Sequence, residues 1–217
     1  MYSLPYFKEK DFKLVKEFMH QNPFVILSGC DSNQHPVATH VPLLIEETHE
    51  KVFLYGHVMR NTDHHLAFLK NPNVLAIFTG PHTYVSASWY SNPRQASTWN
   101  YMTVHAKGVL EFLEENALLD ILQKLTAHFE NDKDSPSLFE KLPGDYIERL
   151  KKAIIAFKIE VTGVDNVFKL SQNRDEKSYH NIIERLQKGN EDSGRLASEM
   201  EQRESQLFRS SSEEQRP

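Results

Sequence analysis

The 217-residue chain has a single cysteine, Cys30. No disulfide can form within it, and no four-cysteine zinc site can be built. Cys30 lies in the turn "SGCDS" with no cation beside it in sequence, which reads as an inert thiol. Catalytic signatures are missing too. There is no G-x-S-x-G elbow, no Walker loop, no HExxH, and no G-x-G-x-x-G turn of the kind a dinucleotide usually needs. No run approaches the roughly 20 apolar residues of a membrane span, and the opening "MYSLPYFKEKDFK" lacks the apolar core of a signal peptide. The expectation is a soluble, cytoplasmic protein without a membrane partner. Positive charge is not in excess either. The chain has 25 Lys and Arg against 30 Asp and Glu, a net charge of −5, which argues against coating nucleic acid by charge alone.

What is present suits one globular domain, since 39% of the residues are hydrophobic. "KDFKLVKEFMHQNP" predicts a helix capped by Asp11, with Phe12, Val15, Phe18 and Met19 as its apolar stripe and Pro23 as its stop. Strand candidates follow at 24–29, in "HPVATHVPLLIEE", at 51–57 and at 73–80, punctuated by Asp, Asn, Pro and Gly. "TYVSASWY" and the long "TWNYMTVHAKGVLEFLE" come next, with Gly108 where a bend or bulge would fit. Leu118, Leu119, Leu122, Leu125 and Phe129 predict a helix over 116–130. "DYIERLKKA" reads as another short helix. "IIAFKIEVTGVDNVFKL" reads as a last strand pair turning at Gly163. Six or seven strands with few helices between them favour an antiparallel barrel, mainly β with helices (α+β). The domain is expected over 1–188. From Gly189 the composition turns polar, so 189–217 reads as a tail, partly helical or disordered.

Chemistry gathers where the strand ending at Tyr55 hands over to a helix. Asn61 or Thr62 can cap a helix starting near Asp63, pointing free N–H groups and the positive dipole end back toward the strand terminus. Arg60 adds a forked cation suited to phosphate oxygens, His57 another donor, and Gly56 a close backbone approach. An ordinary capped helix beside a solvated arginine fits the same residues. In "PVATHVPLLI", alternation sets Thr39, Val41 and Leu43 against His40, Pro42 and Leu44, and the internal proline suggests an edge strand or a bulge. "GPHTYVSASWYSNPRQASTWNYMTVHAKG" holds Tyr84, Trp89, Trp99 and Asn100 in a density of aromatics that suits a flat ligand or a subunit interface. Core packing explains either tryptophan taken singly.

The motifs "MYSLPYF", "ATHVPLLI", "GHVMRN", "IFTGPHTYVSASWY", "TWNYMTVHAKG" and "KLSQNR" stand in the order and spacing of the PaiB-type family, the FMN-binding negative transcriptional regulators. The chain resembles that family from Met1 to about Gln202. It departs at Ala87, where a proline is expected, and at Ala96-Ser97, where a Val-Pro pair is expected. At a greater distance it resembles split-barrel flavoproteins such as pyridoxamine phosphate oxidase. The resemblance implies a six-stranded antiparallel FMN-binding split β-barrel with peripheral helices, working as a homodimer with the flavin between the barrels. It implies that the flavin lies along Thr39, His40, Val41 and Pro42. Its phosphate would fall at His57, Arg60, Asn61 and Thr62, with Tyr84, Trp89, Trp99 and Asn100 completing the site.

A metal or haem site is the first rival, given 11 histidines. His64 and His65 are adjacent and diverge by about 100° on a helix, while His35 and His40 differ in strand parity, so neither pair faces one ion easily. Flavin-dependent oxidoreduction is the second. For regulation, DNA is a partner to be reached directly or indirectly: no helix-turn-helix is visible, the 116–130 helix starts acidic, and "RLKKA" (149–153) is the best basic patch. Large residues at both parities of the aromatic window predict a dimer, since Tyr84, Trp89, Tyr90, Trp99 and Tyr101 cannot all fill one barrel.

Overall fold

The computed structural model describes residues 1–48 and 51–208. The chain divides into two compact units, one of residues 19–78 and 105–165, the other of residues 1–18, 79–104 and 166 onward. Helix α1 (Phe12–Gln21) runs across the first boundary. Asp11 opens it by accepting the Lys13 N–H at 2.9 Å, and Val15, Phe18 and Met19 are buried as the stripe requires.

The first unit is a barrel of antiparallel strands. β1 (Phe24–Cys30) turns into β2 (Pro36–Pro42) through Asp31, whose carboxylate accepts the backbone N–H groups of Asn33 and His35. β3 (Leu44–Thr48) pairs with β4 (Lys51–Met59), and helix α2 (Asp63–Lys70) follows. β5 (Asn73–Val85), β6 (Thr98–Phe112) and β7 (Ile154–Lys169) supply the remaining strands. The hydrogen-bonded order is β2-β1-β5-β6-β7-β4-β3. β2 and β3 close the two ends of that order, yet only Leu43 separates them in sequence. A sheet whose two edges are joined through one residue must curl on itself, which is how the edge problem is solved here. Leu43 is buried at the joint and donates its N–H to the Pro23 carbonyl at 2.9 Å. Pro42, which has no N–H, marks the break. The single run expected in "HPVATHVPLLIEE" is therefore two strands, and the barrel has seven rather than six.

Side-chain alternation fills the interior. On β4, Val52, Leu54, Gly56 and Val58 are buried while Phe53, Tyr55 and His57 are half-buried on the other face. That outer face is covered by α3 (Glu115–Glu130), whose Leu118, Ile121, Leu122 and Leu125 pack with Ile154 and Ala156 of β7 and against Leu44 and Tyr55. β7 thus buries both faces. It also runs straight through Gly163, where a turn was expected. Gly163 has no positive φ, and its place in a 16-residue strand beside β6 overrides the local turn signal. Gly108 answers a different need than the expected bend: a Cβ there would lie 2.4 Å from Ile159 Cγ2 and 2.5 Å from the Glu160 carbonyl oxygen. Helix α4 (Gly144–Ala153) leads into β7.

The second unit contains α5 (Glu176–Leu186) and α6 (Glu191–Phe208). α5 buries Tyr179, Ile182, Ile183 and Leu186, α6 buries Leu196, Ala197 and Met200, and the Tyr179 hydroxyl donates to the Met200 carbonyl at 3.0 Å. Residues 191–208 are thus a helix, as the partly helical reading of 189–217 allowed, and it packs within this unit; residues 209–217 lie outside the described residues. Arg203 of α6 pairs with Glu9 and lies over the Phe168 ring, while Asn166 both accepts from and donates to the Glu9 backbone. No helix among the described residues is long and apolar enough to cross a membrane.

Candidate functional site

The barrel unit brings two of the sequence windows together at the end of β4. A Cβ built on Gly56 would stand 3.2 Å from the Pro42 carbonyl oxygen and 2.9 Å from Leu43 Cδ2, so β4 meets the β2–β3 joint without side-chain space between them. Along β2, Val41 is buried, Thr39 and Pro42 are half-buried, and His40 is exposed with its ring stacked on Phe24 at 5.8 Å. β2 stands at the end of the strand order, as its proline suggested.

His57 sits opposite Ala156 on the outer face of β4. Its Nδ1 is buried and has no hydrogen-bond partner among the described residues. Burial alone holds its pKa below the ordinary histidine value. A buried donor or acceptor left unpaired costs about 1–3 kcal/mol, so such an atom marks a place where a ligand polar group is worth having. Three residues on, Arg60 donates its backbone N–H to Ala153 O at 2.9 Å and its Nε to Ile154 O at 3.0 Å. Those bonds fix the side chain and leave the outer two guanidinium nitrogens unpaired among the described residues. This pair of donors fits an oxyanion.

The start of α2 follows one of the two caps expected from the sequence. Thr62 is the cap: its Oγ1 accepts the His65 N–H and donates to the Met59 carbonyl at 2.9 Å. The His64 N–H goes to the Asp63 carboxylate at 2.8 Å, and Leu66 N–H to the Thr62 carbonyl. Three first-turn donors, those of His64, His65 and Leu66, are therefore taken within the segment itself. Asn61 adopts φ of 62°, a left-handed conformation that Asn tolerates, and donates its N–H to His65 Nδ1 at 3.1 Å. His65 was not among the expected site residues. It is buried edge-on against Phe112, and burial and the Arg60 charge lower its pKa, which keeps Nδ1 free to accept. Its position at the third residue after the cap was the available signal.

The other unit holds Tyr84, Trp89, Trp99 and Asn100. Tyr84 and Trp99 are 49% and 54% exposed and meet edge to face, with ring centroids 6.1 Å apart. His82 lies 6.3 Å from the Trp99 ring, beside a 330 Å³ apolar cavity lined by Gly80, Trp99, Tyr101 and Met102 among others. Trp89 is half-buried at the end of a short 3-10 turn, and its carbonyl accepts from Asn181. Asn100 has no exposed surface. Its amide is spent on Ser171 Oγ and Met200 Sδ, so it supports Trp99 from inside instead of facing a ligand.

The basic patch at 149–153 is largely neutralised. Arg149 pairs with Asp145 at 3.1 Å, and Lys151 with Glu115 at 2.5 Å and Glu148 at 2.8 Å, which raises the Lys151 pKa. Among the described residues no group of three or more His, Cys, Asp and Glu side chains is placed to hold a metal ion.

Comparison with known proteins agrees with the fold. Residues 1–163 match the family model described as "Putative FMN-binding domain". The Bacillus subtilis protein named "Protease synthase and sporulation protein PAI 2" is 35% identical over 187 residues, covering 86% of this chain and 89% of that one. An uncharacterised Emericella nidulans protein is 23% identical, over 90% and 94% of the two chains. Among solved structures, the FAD and heme binding protein of Mycobacterium smegmatis superposes with a TM-score of 0.52 at 15% identity, covering 75% of this chain and 73% of its own. A conserved hypothetical protein from Mycobacterium tuberculosis gives 0.54 at 11% identity, over 75% and 88%. These two show a shared fold, the split barrel. With the family model spanning three quarters of its length and a relative above 30% identity, the chain belongs to the PaiB-type FMN-binding family.

Proposed function

We propose that this protein binds FMN as a homodimer and acts as a negative regulator of transcription, of the protease-synthesis and sporulation kind that its Bacillus relative's name describes. The observation that carries the cofactor is the end of β4, where an unpaired buried His57 nitrogen and the two unpaired outer nitrogens of Arg60 stand within one turn of chain. That donor set suits a single phosphate group. The chain has no G-x-G-x-x-G turn for the second phosphate of a dinucleotide, which favours FMN over FAD. The exposed Tyr84–Trp99 pair supports the dimer, because two large rings half in water are better covered by a second copy. The paired cations of the 149–153 patch favour an indirect action on transcription, or DNA contact through a surface built by two chains.

The absorbance spectrum of protein purified from its host tests the cofactor, and transcript levels in cells lacking the gene test the regulation. Flavin bands with raised protease-gene transcripts are the expected outcome. A colourless protein that takes up no added FMN, or unchanged transcripts, would remove the corresponding half of the reading. Bleaching of the bound flavin by NADH or NADPH, with turnover, would instead favour an oxidoreductase.

A further inference from the structure

The "KLSQNR" segment, residues 169–174, has no part in the flavin reading, yet it carries two cations without acids. Lys169 donates Nζ to the Trp99 carbonyl at 2.6 Å and to Thr98 Oγ1, and lies 5.8 Å from the Phe7 ring centroid. Arg174 lies with its guanidinium 4.2 Å from the centroid of the Tyr90 ring and bonds Gln95 Oε1. Neither cation has a carboxylate partner among the described residues. Asp175, the nearest acid in sequence, is occupied by the Ser178 N–H and hydroxyl and by the Ser91 hydroxyl. The Arg174 N–H bonds the Ser171 carbonyl at 3.0 Å and turns the short segment between the two cations, and burial first, then the charge of Arg174, holds Lys169 below the ordinary lysine pKa. Cations crowded together without a counter-charge are unfavourable unless something anionic visits them.

An independent feature points the same way. Tyr90 is 4% exposed, and its hydroxyl is buried with no hydrogen-bond partner. The Arg174 guanidinium lies over the face of this ring, and a phenol that could have been a phenylalanine keeps a polar atom at a cost. We propose that Lys169, Arg174 and the Tyr90 hydroxyl form an oxyanion site, which takes a small effector or substrate bearing a phosphate monoester or carboxylate. The guanidinium supplies a two-pronged contact, the ammonium a point charge, and the phenol a neutral donor. This site uses none of the Arg60 donors and does not depend on flavin being bound.

The two tryptophans of the chain report on it, since Trp99 carries the carbonyl that Lys169 holds and Trp89 precedes Tyr90. The full-length protein is titrated with inorganic phosphate and, separately, with acetate at constant ionic strength, reading tryptophan fluorescence and thermal midpoint. A saturable response to either probe is expected, kept in Arg60→Ala and lost in Lys169→Met. The sharper variant is Tyr90→Phe. Removing an unpaired buried hydroxyl should leave the apo protein as stable or more so, while anion affinity falls about tenfold, as for a lost bond to a charged group. Phosphate over acetate would assign a phosphate ester, and the reverse a carboxylate. No saturable response to either probe, a response abolished by Arg60→Ala, or wild-type affinity in Tyr90→Phe would overturn the site.

Discussion

At the scale of single residues, the candidate site rests on donors that the fold leaves unpaired. Arg60 is held by its backbone N–H and by Nε, so truncating it removes the outer nitrogens together with the Nε bond to Ile154 O and leaves the backbone bond to Ala153 O. Arg60→Ala should weaken FMN by about 1.5–3 kcal/mol, roughly ten- to hundredfold, and leave riboflavin unchanged. Fluorescence titration of both ligands checks it, and an equal loss for riboflavin would point to a damaged fold. The histidines give a pH prediction. His57 and His65 both have folded pKa values lowered by burial, so both are neutral in folded and unfolded chains above pH ~6.5 and contribute nothing there. As pH falls through ~6.5 the unfolded chain takes up protons first, and stability drops until the folded values are passed. The slope is at most about 1.4 kcal/mol per pH unit for each. Urea midpoints at pH 8, 6.5 and 5.5 should fall in that order, and less steeply in His57→Gln. Protonated His65 also loses the lone pair that accepts the Asn61 N–H, so this turn should loosen first.

Among elements, the sequence was most legible where one periodicity ruled. α1 and α3 were readable from their apolar stripes, although Phe12 and Phe129, counted in those stripes, are 47% and 50% exposed. The run 36–48 was not, since a joint of one residue carries no periodicity of its own, and only the proline at 42 hinted at it. Gly163 misled because a glycine reads as a turn locally, while a long antiparallel neighbour decides the matter from afar. Gly108 shows what a strand glycine does here. Gly108→Ala should cost about 1–3 kcal/mol by urea denaturation, since Ile159 and the Glu160 backbone must both yield. α6 was read as a partly helical or disordered tail because its exposed face is so polar, and what went unread is its packing through the narrow buried stripe of Leu196, Ala197 and Met200. Met200→Ala should therefore destabilise the protein by about 2–5 kcal/mol, and a change under 0.5 kcal/mol would restore the tail reading.

For the whole molecule, the site was legible mainly through motifs in register, which brought the β2 and β4 windows to one place before any geometry was known. What residue types could not convey was occupancy. Asn100 was grouped with ligand-facing residues by its neighbours, yet strand parity turns it inward toward Ser171 and Met200. Trp99, next to it, points outward, where the proposed dimer would cover it. Trp99→Asp alters an exposed ring, so the fold should survive while dimerisation and flavin binding weaken together; light scattering with a flavin titration reads both. The most direct measurement is an equilibrium titration of the purified protein with FMN, riboflavin and FAD side by side. A phosphate read by His57 and Arg60 predicts FMN tighter than riboflavin by at least about tenfold and tighter than FAD, with one FMN per chain. Equal affinity for FMN and riboflavin, or tighter binding of FAD, would contradict it.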